Sequence, residues 1–218
     1  MATETLQVLV NQDSPRSDAE GTPTNWKGTK RGEGCVIDFY TAMALEQRLF
    51  QVRAGSVTTP LVGDIVITDQ VGEMAVEAKT GFVVLPTEFN WCFRLAAATL
   101  FEVAVKSRPW TTAITFTADR QALNCYIGGP QAASRVYVDA AGGVDVGANE
   151  SLTVDRLHYD WAQRIAAGAY TTTDTWEPIA PPPVVGRSIL YVQIGADTTG
   201  PSYYATLHFI ELATVQIS

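Results

Sequence analysis

Four short apolar runs between Leu61 and Lys106, separated by turn residues, set the pattern of this chain. The clearest is Phe89-Asn90-Trp91-Cys92-Phe93-Arg94-Leu95, where Phe89, Trp91, Phe93 and Leu95 share one face and Asn90, Cys92 and Arg94 the other. Side chains alternate across a strand, so this run predicts a half-buried β-strand with an aromatic inner face. Phe101, Val103 and Val105 against Glu102, Ala104 and Lys106 repeat the pattern. Asp64–Thr68 and Phe82–Leu85, the second closed by Pro86, read as two further strands. Strands at this density predict an antiparallel sandwich or barrel.

On the N-terminal side, Cys35–Tyr40 reads as a strand, and Thr41–Val52 as a short helix leading into a strand, although the same residues also fit an extended run. Beyond the central runs, Thr112–Thr117 is expected to bury Ile114 and Phe116, Leu123–Ile127 to bury Leu123, Cys125 and Ile127, and Ser134–Asp139 to bury Val136 and Val138. Gly128-Gly129-Pro130 and Gly142-Gly143 mark turns. From Leu152 to Ala167 both periods fit: Leu157, Tyr159 and Trp161 alternate as in a strand, and Leu157, Trp161 and Ile165 suit a helix. We read a strand up to Ala162. Tyr170–Gly186, with Pro178 to Pro183, reads as a stiff loop, because consecutive prolines hold an extended conformation without internal hydrogen bonds. Ser188–Ile194 and Tyr203–Ile217 complete the strands.

Residues 1–34 stand apart. After Leu6, Val8 and Val10, the segment is dominated by Gly, Pro, Ser, Thr, Asn and charge, with Trp26 its one large side chain. Such a composition cannot bury enough apolar surface to fold alone, so we read an N-terminal arm, 1–34, and one domain, 35–218. The arm carries Arg16, Lys27, Lys30 and Arg31 against Glu4, Asp13, Asp18, Glu20 and Glu33, and is not a basic nucleic-acid tail. A formal net charge of −8 also argues against non-specific binding to phosphate backbones. Charged residues make up 17% of the chain, below the roughly 25% of ordinary soluble domains. Interface cores are depleted in charge, and Thr on the solvent faces of strands has the same effect on composition. Cys35, Cys92 and Cys125 lie in strand-like runs without paired spacing and are expected as buried free thiols. The first residues, Met-Ala-Thr-Glu-Thr-Leu, predict neither a signal peptide nor a transmembrane helix.

The chemistry is sparse. His158 and Asp160 share a face if their segment is a strand, which is the spacing of a base and its orienting carboxylate. No Gly-x-Ser-x-Gly nucleophile elbow accompanies them, so a surface His beside an Asp is the simpler reading. His208, in Leu207-His208-Phe209, reads as a packed sheet residue. The two histidines are far apart in sequence and form no His-x-His pair, which leaves a cupin-type metal site without support. No phosphate-cradling Gly-rich loop precedes a helix. Asp64, Asp69 and Glu73 carry the oxygens that calcium takes but not the spacing of an EF-hand, and read as solvated loop carboxylates. Trp26, Trp110, Trp176 and Tyr170 fall in loops or at strand ends, where they plug a sandwich, contact neighbouring subunits or stack on sugars, in that order of preference. No catalytic, cofactor-binding or metal-ligating residue is assigned, and the chain is not read as an enzyme.

The layout from roughly Cys35 to Ser218 resembles the single jelly-roll coat proteins of small icosahedral viruses. What carries the likeness is about eight short antiparallel strands, a polar arm, long loops at strand ends and a long closing strand. The runs Val57–Thr68 and Phe82–Thr87 have the look of consecutive shell strands. The resemblance implies an all-β, antiparallel two-sheet jelly-roll sandwich with an irregular N-terminal arm. It implies a capsid protein that self-assembles into a homo-oligomeric shell, located in the virion and assembled in the host cytoplasm. Copies of itself and a host receptor are the implied partners, with no membrane. Many such coat proteins carry an Arg-rich arm for the genome; this arm is not basic, so nucleic-acid contact through it is expected to be weak or absent. The alternative, from the loop aromatics, is a receptor- or carbohydrate-binding β-sandwich such as a fibre or spike head or a lectin.

Overall fold

The computed structural model describes residues 39–63, 65, 71–94, 100–109, 119–138, 144–145, 155–164, 171–186, 188–197 and 200–214. Among the described residues, helix α1 (Phe39–Leu45) precedes fifteen strands. These are β1 (Leu49–Ala54), β2 (Leu61–Val62), β3 (Val71–Gly72), β4 (Met74–Glu77) and β5 (Phe82–Arg94). Then come β6 (Leu100–Pro109), β7 (Asp119–Arg120), β8 (Leu123–Asn124), β9 (Arg135–Val138) and β10 (Val144–Asp145). The last are β11 (Arg156–Arg164), β12 (Thr171–Trp176), β13 (Val184–Val185), β14 (Ser188–Ala196) and β15 (Ser202–Ala213).

The protein is all-β, a sandwich of two antiparallel sheets. Sheet 1 runs β12-β5-β15-β1-β8, with β13 added to β5 and β2 to β15; sheet 2 runs β11-β6-β14-β4-β9-β7. A separate ribbon pairs β3 with β10. Alternation places Phe89, Trp91 and Phe93 in one core with Phe101, Val103 and Val105, as expected from the sequence; Leu95 lies outside the described residues. Leu190, Val192 and Ile194 of β14 and Tyr203, Ala205, Leu207 and Phe209 of β15 complete it. The layers meet through rings: Phe93 and Phe101 lie 4.7 Å apart between centroids, and Trp91 stacks on Tyr159 at 6.0 Å. Tyr159 Oη also donates across the sandwich to Asp174 Oδ2 at 2.6 Å.

Eight strands pair as a nested series. The outermost in sequence are β1·β15 in sheet 1, then β4·β14 in sheet 2, β5·β12 in sheet 1 and β6·β11 in sheet 2. Each successive pair lies in the opposite layer. The pairings β5·β15 and β6·β14 then join the outer pairs to the inner ones within each sheet.

Several local expectations are corrected. Phe39 and Tyr40 belong to α1 rather than a strand, and the helix then leads into β1 as expected. Met43 is the buried residue of α1, packed with Ile210 and Leu212 on the outer face of sheet 1. The helix is capped by a turn through Gln47, in the left-handed region at φ 61, with Arg48 N–H donating to Met43 O at 2.8 Å. Pro86 does not close a strand, since β5 runs from Phe82 to Arg94. The register jumps there, Phe209 facing Pro86 and His208 facing Glu88, so Thr87 is a bulge residue. Pro86 also falls in the gap between β12, which ends opposite Phe89, and β13, which begins opposite Val84. A proline that donates no ladder bond is tolerated at such a place.

Thr171–Trp176 is a strand and not a loop, paired with Asn90, Cys92 and their neighbours on β5. In Leu123–Ile127 only Leu123 and Asn124 are in strand; Leu123 is exposed and Ile127 is 97% exposed. Leu123 pairs with Gln51, an outward position of β1, so it faces solvent, and Cys125 is only half-buried. β11 is a strand as read, extending to Arg164, but Leu157 is 57% exposed. A register shift between Leu157 and Tyr159 puts it out of phase with Tyr159 and Trp161. Val136 and Val138 are buried as expected. The arm 1–34, Thr112–Thr117, most of Asp64–Thr68 and residues 215–218 lie outside the described residues.

Candidate functional site

Chemistry-bearing side chains gather on the outer face of sheet 1. β15 turns Tyr204, Thr206 and His208 outward, because Tyr203, Ala205, Leu207 and Phe209 take the inward positions. Opposite them on β5 stand Cys92, Asn90 and Glu88, and beyond Cys92 and Asn90 stand Thr173 and Thr175 of β12. Thr175 Oγ1 donates to Asn90 Oδ1 at 2.7 Å. The face is therefore rich in hydroxyls, with Arg53 and Arg94 close to Tyr204.

Beside α1 the face hollows into a cleft of about 390 Å³ lined by Tyr40, Leu49, Thr87, Glu88, Cys125, Glu177 and His208. That volume lies at the lower end of the range of small-ligand sites. His208 Nδ1 lies 3.2 Å from Glu88 Oε2, and Glu88 Oε1 accepts from Asn90 Nδ2 at 2.6 Å. His208 is thus a half-buried sheet residue, as expected, with a carboxylate beside it. Cys125 is brought to the rim by its N–H bond to Leu49 O at 2.9 Å. Burial pushes its thiol pKa up, which favours the protonated form over a nucleophilic thiolate. Cys92 and Cys125 are free thiols as expected but half-buried rather than buried; Cys35 lies outside the described residues. The cleft therefore sets an imidazole, two carboxyl groups and a phenol beside a thiol whose burial favours the protonated form.

His158 and Asp160, the one base-and-orienter pair read from the sequence, do not meet. The shift in β11 hands His158 to Ser107, whose Oγ lies 2.6 Å from His158 Nε2. Burial, followed by the charge of Arg156, lowers the His158 pKa. Asp160 instead stands opposite Ala104 and diagonal to Glu102, whose pKa it raises. Asp155 makes a two-pronged bond with Arg108, at 2.7 and 3.1 Å. Nothing in the sequence points to Ser107, since only the register of β6 with β11 brings it to His158. A Ser–His contact without its carboxylate is no triad.

Glu73 is not a solvated loop carboxylate. It is 2% exposed and accepts from Ile194 N–H at 2.9 Å, while Asp64 and Asp69 lie outside the described residues. Among the described residues no group of three or more His, Cys, Asp and Glu side chains is arranged to hold a metal ion, and no helix is long and apolar enough to cross a membrane. Trp176 is 6% exposed with its ring 6.3 Å from Tyr159, a plug of the sandwich end; Trp26, Trp110 and Tyr170 lie outside the described residues. No family model, no curated protein and no solved structure matches the chain.

Proposed function

We propose that this chain is a capsid-type shell subunit, built on a jelly roll, that assembles with copies of itself. The observation that carries the reading is the nested pairing β1·β15, β4·β14, β5·β12 and β6·β11, alternating between layers as a long hairpin rolled into two sheets would. Fold alone does not imply function, and the surface adds to the reading. Leu45, Leu123, Tyr126 and Ile127 are exposed on segments that meet where β8 pairs with β1, and Asn124 Nδ2 joins those segments by donating to Gln47 O at 2.6 Å. Exposed apolar groups in a chain with little charge favour burial against neighbouring copies. On this reading the protein resides in a virion or virus-like particle, is assembled in the host cytoplasm and has a host receptor as a further partner.

The cleft beside α1 favours a second reading, a receptor- or carbohydrate-binding β-sandwich. It combines an exposed aromatic, Tyr40, with Glu88, Glu177, His208 and Thr87, the mixture of ring and polar groups that grips a sugar. Electron microscopy and static light scattering of nuclease-treated protein across a salt series separate the two. The shell reading expects closed particles that form without nucleic acid. These should persist at molar salt, because salt screens surface charge but hardly weakens apolar burial. Dissociation as salt rises, or a strict requirement for RNA or DNA, overturns it; monomers or trimers that bind glycans support the second reading.

A further inference from the structure

The outer face of sheet 2 carries a different arrangement, independent of the cleft. Glu102, Ala104 and Lys106 alternate outward along β6, opposite to the inward Phe101, Val103 and Val105. Gln193 of β14 stands opposite Ala104 on one flank, and Asp160 of β11 stands opposite Ala104 on the other. Long side chains reach their diagonal neighbours across adjacent strands, which sets the Gln193 amide between Lys106 and Glu102. Lys106 Nζ donates to Gln193 Oε1 at 2.6 Å, and Gln193 is 0% exposed. An ammonium only donates, so the amide must turn its oxygen to Lys106. The amide carbon lies one carbonyl bond beyond that oxygen, so it comes to the near-attack separation of about 3–3.5 Å once Nζ moves from the oxygen to the face of the amide. The next outward residue along β6 is Glu102, one diagonal step from Asp160 of β11. Burial first, and then Asp160, lifts the Glu102 pKa above its ordinary value; the charge of Lys106 opposes this. A buried primary amide, an amine in contact with it and two carboxyls on adjacent strands are the three parts of an amide exchange.

We propose that Lys106 and Gln193 form an intramolecular isopeptide bond, with the Glu102–Asp160 pair as the acid and base. The pair accepts a proton from the Lys106 ammonium, and the freed Nζ lone pair attacks Cδ of Gln193. The new Cδ–Nζ bond forms as the carbonyl electrons move to Oε1. When they return, Cδ–Nε2 breaks as the departing nitrogen takes a proton from the pair, and the new amide nitrogen passes its second proton through the pair to that ammonia, which leaves as ammonium. Ammonium plus primary amide thus becomes secondary amide plus ammonium, with no oxidant, reductant or co-reactant. Exclusion of water around Gln193 removes the competing hydrolysis. The product ties β6 to β14, neighbours within sheet 2, across 87 positions of chain. Cys92 and Cys125 remain free, so no disulfide of theirs supplies such a tie.

Intact-mass spectrometry of the denatured wild-type protein is the test. We expect a mass lower than the sequence mass by one ammonia, and a digest in which the Lys106 and Gln193 peptides are recovered joined. Lys106→Arg keeps a cation beside Gln193 but is expected to show the full mass, and Glu102→Gln to retain unreacted protein. The full sequence mass in folded wild-type protein, aged at neutral pH, overturns the proposal. So does an ammonia loss that persists in Lys106→Arg. The wild-type mass decides even where a variant fails to fold.

Discussion

At His158 a register shift places one side chain and thereby sets its protonation. Leu157 faces Lys106 and Tyr159 faces Val105, which leaves His158 as the extra residue, turned to Ser107. Because burial and Arg156 lower its pKa from 6.5, the folded protein binds the proton more weakly than the unfolded chain. The unfolded state therefore holds more protons through this range, so stability rises with pH there. The contribution is fully present above about pH 6.5 and is lost as pH falls through the lower, folded value. Calorimetric melting of wild type and His158→Gln between neutral and mildly acid pH should show a drop in wild type that the variant lacks in part. Parallel curves would mean that His158 titrates alike in both states. At this scale the sequence is only half legible. Alternation identifies Phe89, Trp91 and Phe93 as core, but an alternating pattern does not reveal a bulge, and so it assigns Leu157 to the wrong face. Ser107 gives no signal at all, being one serine in a strand until β11 aligns beside it.

Strand β5 organises sheet 1, its two edges holding β15 and β12, and its inner face sets Trp91 and Phe93 against Tyr159 and Phe101 of sheet 2. Trp91 touches Phe89 at 4.4 Å and Tyr159 at 6.0 Å between ring centroids, one partner in each sheet. Truncating such a residue to Ala typically costs about 3–5 kcal/mol, a large part of the roughly 5–15 kcal/mol that holds a domain together. Trp91→Ala is expected to give little or no soluble folded protein, whereas Asn90→Ala on the outer face should stay soluble with near-native circular dichroism. Equal recovery of the two variants would show that the aromatic face is not what stabilises the sandwich. Elements are legible where apolar residues alternate, as in β5, β6, β9, β14 and β15. They are misread where the cue is polar: β12 is made of Thr171, Thr172, Thr173, Asp174, Thr175 and Trp176, whose outward hydroxyls look like a loop until the β5 edge pairs with them. Pro86 misleads for the opposite reason, because a breaker is harmless where the ladder already has a bulge and a gap.

For the molecule as a whole, the two-sheet antiparallel class comes from strand density and turn residues, whereas the order of strands within each sheet does not. Period-two patterning says which residues face inward; it does not say which strand lies beside which. That order bears on biosynthesis. β14 and β15 are the last strands in sequence among the described residues, yet β15 lies between β5 and β1, and β14 between β6 and β4. On the ribosome, where segments emerge from the N-terminal side, β1, β4, β5 and β6 must wait beside empty places for Ser188–Ala213. Until then they expose strand edges able to pair wrongly, the condition in which nascent chains need a chaperone. Stalled nascent chains ending before Ser188 should be fully cleaved by a dilute protease, and protection should appear in one step once Ala213 has left the exit tunnel. A protected core in the shorter chains would show instead that the first half of the sandwich folds during translation.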